Sequence, residues 1–253
     1  QREDKTVMFD GIYTIPYRSI YSKDIENLFL GGRIISASHR AFSSTRVMAT
    51  CAAAAQAAGI AAAMAVKKGI NPREVDAKAL QQSLLKDGCY IPNVKNTDKN
   101  DIALNATVSC SSFEKGFECE NVINGVSRPV GELSNMWACK TDDENPWIML
   151  SFDKPRKVKE TVITFDSNLS VEIMISLSKW HHVRQNRNIP DTIVKDYTVE
   201  YIFNDKAVKS VSIMGNHQRM NELISDVLCD SIRITVNGTN GCNQARICEI
   251  RVY

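Results

Sequence analysis

The feature that most constrains the fold is an uncharged run of twenty residues, 47–66, in which eleven positions are alanine. Alanine has the highest helix propensity of all residues. Lys67, Lys68 and Gly69 follow the run and are typical of a helix C-terminus. The polar residues 43–46 precede it and have side chains suited to an N-cap. The sequence therefore predicts one long helix over residues 47–66.

This run is also long enough to cross a bilayer. Alanine is only weakly apolar, however, and Thr50 and Gln56 interrupt the run. Small side chains let a helix lie very close to a sheet, another helix or a cofactor. We therefore predict a buried helix and no membrane partner.

The sequence pattern changes near residue 95. Residues 93–101 are polar and rich in turn-forming residues, so we interpret them as a linker. Before this linker, residues 27–32 predict a buried strand with a glycine turn, and a second helix is predicted from Asn71-Pro72 to Lys86, ended by Gly88. After it, short runs alternate apolar and polar residues, which is typical of strands in an antiparallel sandwich. The predicted strands are residues 147–152, 159–165, 171–177, 197–203, 207–213, 231–236 and 246–252.

Charge is close to balanced, with 31 basic and 29 acidic side chains and a net charge of +2. Residues 1–95 carry a net charge of +5 and residues 96–253 a net charge of −3. No long block of like charge is present, so we expect no nucleic-acid partner. The sequence begins with Gln1 and carries no signal segment, so we interpret it as part of a longer protein.

Eight cysteines are present, and none form a C-x-x-C pair. Histidines are not clustered at zinc-finger spacing either. We expect most of the thiols, including Cys51 within the alanine run, to be small packing groups. The cysteines leave the compartment undecided, and metal ligands are unknown.

Two segments of the first part are specific: residues 15–33, IPYRSIYSKDIENLFLGGR, and residues 36–52, SASHRAFSSTRVMATCA. Together they resemble the C-terminal end of a family of FAD-dependent oxidoreductases with the two-dinucleotide-binding fold. The resemblance covers about residues 8–92. It implies a cofactor-binding set and a catalytic set. The cofactor-binding set is Gly31, Gly32, Arg33, Ser44 and Thr45, and the catalytic set is His39 and Arg46.

In such folds a strand ends in glycines beside the flavin, and the next helix points its positive N-terminus at the ring. The sequence contains no G-x-G-x-x-G followed by an acidic residue to hold a ribose. We therefore expect the FAD-anchoring half to lie upstream in a parent protein. FAD is expected in that parent and no cofactor in this chain, which we expect to be inactive alone and to form oligomers.

Several short pieces follow one another in a recognisable order in the second part. These are residues 106–112, 120–125, 136–137, 145–152, 195–201 and 245–253. Because of their order, residues 102–253 resemble a galactose-binding-like β-sandwich of the F5/8 type C, or discoidin, class. The family often has Asp-Gly where this chain has Asn124-Gly125, which weakens the transfer of a calcium site using that turn and Glu249.

Residues 179–190 combine aromatic, amide and guanidinium groups, the chemistry of a carbohydrate-contacting loop. Trp180, His181 and Arg184 are the candidate carbohydrate residues. In an extended segment His181 and His182 would point to opposite sides, which makes them poor joint metal ligands. Alternatively, the segment is a solvated loop or contacts the first part. Trp137 and Trp147 are predicted to lie in the core rather than to bind sugar.

The sequence as a whole predicts an α+β chain. Residues 1–95 form a mostly helical fragment of an FAD-binding domain, and residues 96–253 form an antiparallel jelly-roll sandwich. The predicted function is the C-terminal region of an FAD-dependent oxidoreductase with a carbohydrate-binding sandwich. A non-catalytic carbohydrate-binding module and part of a polysaccharide lyase are the alternatives. A carbohydrate-type domain favours an extracytoplasmic location, and the compartment stays open.

Overall fold

The computed structural model describes residues 11–171, 178–185 and 187–253. The chain divides into two compact units, residues 1–94 and residues 95–253. Helices dominate the first unit and strands dominate the second, which confirms the predicted fold class.

Three α-helices form the first unit: α1 (His39–Thr45), α2 (Met48–Lys68) and α3 (Ala77–Lys86). Single-turn 3₁₀ segments, Tyr17–Ser19, Gly32–Ile34 and Pro72–Glu74, connect them. Helix α2 ends as predicted at Gly69, which takes the left-handed conformation with φ 62°. Asp76 starts α3, because its side chain accepts a hydrogen bond from the Lys78 amide at 2.9 Å.

Three expectations for this unit are wrong. The polar residues 43–46 do not cap α2. They lie at the end of a separate helix, α1. The N-cap of α1 is Ser38, whose hydroxyl accepts a hydrogen bond from the Ala41 amide. Residues 27–32 form no strand, since only Phe29 makes an isolated bridge, to Tyr21. The second helix starts at Ala77, because the turn that Pro72 initiates stays 3₁₀.

Helix α2 is buried on one face only, which corrects the prediction of a buried helix. Ala54, Ala58, Ala61 and Ala65 are its buried residues, spaced at helical periodicity. They pack into two small apolar clusters with residues of the connecting turns and of α3. By length and composition α2 is also the single described helix that could cross a membrane, with 28% of its most apolar window buried.

Within residues 95–171, 178–185 and 187–253, seven antiparallel strands form the second unit. They are β1 (Thr107–Cys110), β2 (Trp137–Ala138), β3 (Trp147–Phe165), β4 (Val194–Phe203), β5 (Lys206–Ile213), β6 (Met220–Thr239) and β7 (Arg246–Val252). A six-residue helix, α4 (Lys179–Arg184), precedes β4. Residues 172–177 of the predicted strand 171–177 lie outside the described residues.

The strands β3 and β6 are long enough to belong to both layers of the sandwich. Their register shifts between Ser151 and Arg156, where the pair bends. On one side of the bend, β1, β3, β6, β4 and β5 form a five-stranded layer. On the other side, β6, β3, β7 and β2 form the second layer.

The core lies between the two layers and includes the fully buried Trp137, Tyr197, Tyr201 and Phe165. The expectation for Trp137 is thus confirmed. Trp147 is half-buried and stands outside this core, which corrects the expectation for that residue. The predicted linker is also anchored at one end, since Asn96 and Asp101 are buried within the second unit.

Candidate functional site

The glycine pair predicted to approach a flavin lies against the middle of α2. A Cβ added to Gly31 would sit 3.4 Å from the Cβ of Ala55, which is van der Waals contact and places this glycine beside α2. Gly32 has φ +68°, a conformation that glycine adopts without strain. The two glycines therefore form a tight turn held close to the alanine helix.

The candidate catalytic residues lie at the two ends of α1. His39 is the first residue of this helix and Arg46 is its C-cap, so their backbones are roughly 10 Å apart along the axis. Both side chains are exposed. Arg33 lies near this helix, with its guanidinium carbon 5.9 Å from the centre of the Phe42 ring.

Ser44 and Thr45, predicted to bind the cofactor, use their hydroxyls within α1. Both donate to the Ala41 carbonyl, at 3.3 and 3.2 Å. Thr45 is buried, and its own carbonyl accepts from the Cys51 thiol at 3.3 Å. These contacts join the end of α1 to the first turn of α2. The two hydroxyls thus serve the local backbone in this conformation.

The candidate carbohydrate residues lie on α4. This segment is helical, which corrects the expectation of an extended loop with His181 and His182 on opposite sides. Trp180 is 56% exposed, and the Arg184 guanidinium carbon lies 3.7 Å from the centre of its ring. The His181 ring stands edge-on to the indole at a centroid distance of 4.7 Å. The three predicted residues are brought together, with one face of the indole covered by Arg184.

An open hollow of about 390 Å³ lies beside α4. It is lined by His182, Val183, Gln185, Arg187 and Asn188. Arg187 donates to the His182 carbonyl at 3.1 Å, which ties the loop after α4 to the helix. Amide, imidazole and guanidinium groups therefore surround the hollow.

The position considered for calcium is occupied by protein contacts. Glu249 is buried, and its Oε2 lies 2.9 Å from Nε of Arg251. Asn124, in the turn that would complete the site, donates to the Asn135 side chain and accepts from the Val126 amide. Within the described residues, no group of three or more His, Cys, Asp or Glu side chains could hold a metal.

Asp101 lies in the same buried region as Glu249. Its carboxylate accepts hydrogen bonds from the Val252 amide at 2.9 Å, the Ala103 amide at 3.1 Å and the Asn96 side chain at 2.7 Å. Burial raises the pKa of both Asp101 and Glu249, since it disfavours the charged form. This region is a structural cluster that joins the start of the unit to β7.

The sequence analysis missed a second open hollow, of about 660 Å³, at the end of β1. Asp143 Oδ2 accepts hydrogen bonds from the hydroxyls of Ser111 and Ser112 at 2.6 and 2.5 Å. Burial acts to raise the pKa of Asp143, but these hydrogen bonds outweigh it and the pKa is lowered. The S-C-S-S run at residues 109–112 was the available signal, with no spacing that pointed to Asp143. The hollow is lined by Cys110, Ser111, Ser112, Phe113, Glu114, Lys115, Glu118, Cys119 and Lys140.

The strand region matches a known protein family over more than half of the chain. Residues 99–236 match the family model of the XRCC1 N terminal domain. The chain belongs to the XRCC1 N-terminal domain family. Residues 1–84 of this family member match a second family model, FAD dependent oxidoreductase. The expected FAD-dependent oxidoreductase segment followed by a sandwich domain is thereby confirmed.

Several solved carbohydrate-binding modules are similar in structure to this chain. A fucose binding module from Streptococcus pneumoniae, SpX-3, has 13% identity, covers 60% of this chain and 96% of its own, and has a TM-score of 0.46. The family 32 module of C. perfringens NanJ, solved with galactose, has 20% identity, coverages of 60% and 97%, and a TM-score of 0.43. The family 32 module of S. pneumoniae EndoD has 20% identity, coverages of 60% and 98%, and a TM-score of 0.45. No curated protein matches the sequence.

Proposed function

We propose that the first unit forms one wall of a flavin site in an FAD-dependent oxidoreductase and that the second unit binds carbohydrate. The match of residues 1–84 to the FAD dependent oxidoreductase family carries the first part of this proposal. The position of the Gly31-Gly32 turn beside Ala55 supports it, because a turn without side chains next to a small-residue helix leaves backbone amides accessible.

The chemistry that FAD would supply when bound is the acceptance of a hydride from the substrate. The residues of this chain would bind and orient that group. The amides at the Gly31-Gly32 turn and at the start of α2 would donate hydrogen bonds to it, and the positive end of α2 would stabilise negative charge. His39, Arg33 and Arg46 would supply donors or positive charge for an anionic substrate or a reduced flavin.

We further propose that these 253 residues alone do not retain FAD. They contain no G-x-G-x-x-G segment to hold the pyrophosphate, so another part of the parent protein must supply it. The single-sided burial of α2 is in line with this, since a helix made of small residues usually packs on more than one side. The exposed face of α2 also favours association with another copy of the chain.

The experiment compares variants of the parent protein that carries both halves. We expect His39→Ala and Arg46→Ala to slow flavin reduction by the substrate at least tenfold, with normal thermal stability because both residues are exposed. Arg40→Ala is the matched control, since Arg40 is an exposed cation of the same helix. Unchanged reduction in both variants, or an equal loss in the control, would contradict the assigned roles.

The observation that favours carbohydrate binding is the cluster on α4. An exposed indole with a guanidinium beside it offers apolar ring area and hydrogen-bond donors, which suit a sugar ring and its hydroxyls. Affinity electrophoresis through gels containing galactomannan or laminarin tests this function. We expect retarded migration of the chain in at least one of these gels. Migration equal to that in an empty gel, for both polymers, would contradict carbohydrate binding.

A further inference from the structure

The outer face of the five-stranded layer carries an aromatic residue that does not belong to the core. On β3, Ile148 and Leu150 are fully buried, so the alternating Trp147 and Met149 point to the other side of the strand. The Trp147 side chain is half-buried there. Among the described residues, its indole N–H has no hydrogen-bond partner, so the ring presents a free donor.

Arg233 of β6 lies over this tryptophan. Its guanidinium carbon is 4.6 Å from the centre of the Trp147 ring. The Arg233 Nε is buried and makes no hydrogen bond within the described part of the chain. Within the described residues the guanidinium is therefore placed by its contact with the ring, and its buried Nε–H has no partner.

Glu200 of β4 stands directly opposite Arg233 in the strand register. Oppositely charged residues at such positions are close enough to form an ion pair. In the described residues the Glu200 carboxylate forms neither an ion pair nor a hydrogen bond. Because the guanidinium turns to Trp147 instead, a donor and an acceptor remain side by side without engaging each other.

Polar side chains extend the same face toward β5. Thr198, which lies two residues from Glu200 and so on the same side of β4, is hydrogen-bonded to Ser212 of β5 at 3.1 Å. Asn237 of β6 donates to the Thr198 hydroxyl at 3.1 Å. The aromatic ring is therefore bordered by hydroxyl and amide groups across four strands.

We propose that this face, centred on Trp147, Arg233 and Glu200, is a binding site for a neutral hexose polymer. Vicinal sugar hydroxyls both donate and accept, so they fit between a carboxylate and a guanidinium that do not pair with each other. The C–H groups on the apolar side of a sugar ring favour the negative face of an indole, so the ligand would pack on the face of Trp147 that Arg233 does not cover. Because Glu200 and Arg233 carry opposite charges side by side, their sum gives neither a polyuronate nor an amino-sugar polymer a net electrostatic advantage over a neutral one. This assignment rests on the proposed carbohydrate function and adds a site distinct from α4.

Affinity electrophoresis of the full chain with galactomannan and laminarin tests the site. We expect Trp147→Ala and Glu200→Gln to weaken the retardation constant at least tenfold in the gel that retards the wild type. Glu200→Gln keeps the side-chain shape, so it reports on the carboxylate even where Trp147→Ala lowers stability. Glu222→Gln is the matched control, because Glu222 is an exposed carboxylate on the part of β6 that belongs to the other layer, and we expect it to keep at least half of the wild-type affinity.

The outcomes separate this site from the general carbohydrate function. Binding that survives Glu200→Gln and Trp147→Ala but disappears in the α4 double variant Trp180→Ala/Arg184→Ala overturns the site and leaves the function standing. No retardation of the wild type in either gel overturns both. Stronger retardation by polygalacturonate than by either neutral polymer overturns the assignment of a neutral ligand.

Discussion

The hydroxyl groups of Ser111 and Ser112 make Asp143 a residue whose ionisation should control local stability. Their hydrogen bonds lower its pKa in the folded chain. A carboxyl with a lowered folded-state pKa contributes stability above its unfolded pKa, and this contribution is lost as the pH falls through the folded-state pKa.

The corresponding variant is Asp143→Asn. We expect it to lower the free energy of unfolding by about 1.5–3 kcal/mol at neutral pH, the usual range for hydrogen bonds to a charged group. The difference from the wild type should begin to shrink below about pH 4, the unfolded-state pKa of an aspartate, and should vanish only below the lowered folded-state pKa. Urea unfolding at several pH values measures it. A difference that stays constant down to the acid limit would contradict the role of ionisation.

Arg251 and Glu249 form a buried ion pair, whereas Lys157 and Asp226 form an exposed one at 3.1 Å. Removing one partner of a buried pair leaves an uncompensated charge, so we expect Arg251→Met to cost about 3–5 kcal/mol. Lys157→Met, the control at the exposed pair, should cost less than about 1 kcal/mol. Equal losses of unfolding free energy in the two variants would show that Glu249 is not dependent on its partner.

Residue identity alone did not settle on which side of a strand a tryptophan lies. Trp147, Ile148, Met149 and Leu150 are all apolar, so this end of β3 shows no alternation that separates the core face from the outer face. The structure puts Ile148 and Leu150 in the core and leaves Trp147 beside Arg233. The cross-strand partner that distinguishes the two faces lies 86 positions away in sequence and was not accessible to local patterns.

At the scale of elements, α2 presents a sharp contrast between its packed and open faces. Ala61 is fully buried, while Ala63 is exposed on the same helix. We expect Ala61→Leu to destabilise the first unit by about 1–3 kcal/mol, because the added atoms have no room. Ala63→Leu should change its stability by less than about 0.5 kcal/mol. Thermal unfolding of both variants measures the contrast, and similar losses would mean that the face of Ala63 is also packed.

The long strands were predicted only as separate pieces. The segment between residues 147–152 and residues 159–165 is charged and contains a proline, so the sequence predicted a turn there. In the structure both pieces belong to one strand, β3. Pro155 lies within the register shift between Ser151 and Arg156, where its missing N–H removes no ladder hydrogen bond. The alternating halves were predictable from local pattern, and the continuity across the bend depends on pairing with β6.

The candidate flavin residues show a similar division at this scale. The alanine helix and its glycine end were predictable, since propensity and a left-handed C-cap act locally. The helix start was not, because Ser44 and Thr45 bond to the preceding turn of α1 instead of capping α2. From sequence alone, polar residues between two helices can either end the first helix or cap the start of the second.

The whole molecule joins two units with different family matches, an FAD dependent oxidoreductase segment at residues 1–84 and an XRCC1 N-terminal domain at residues 99–236. The change of sequence pattern near residue 95 indicated a division there, because helical and strand periodicities differ. What local pattern could not predict is which residues would complete the proposed flavin site, since the sequence contains no G-x-G-x-x-G segment.

The most direct measurement is the visible absorption spectrum of the purified chain before and after incubation with FAD and desalting. The account predicts no flavin absorption in either desalted sample, because the chain has the wall of a flavin site without a dinucleotide-binding segment. Flavin retained in proportion to protein would contradict it, and would mean that these residues build a complete site by themselves or across an oligomer.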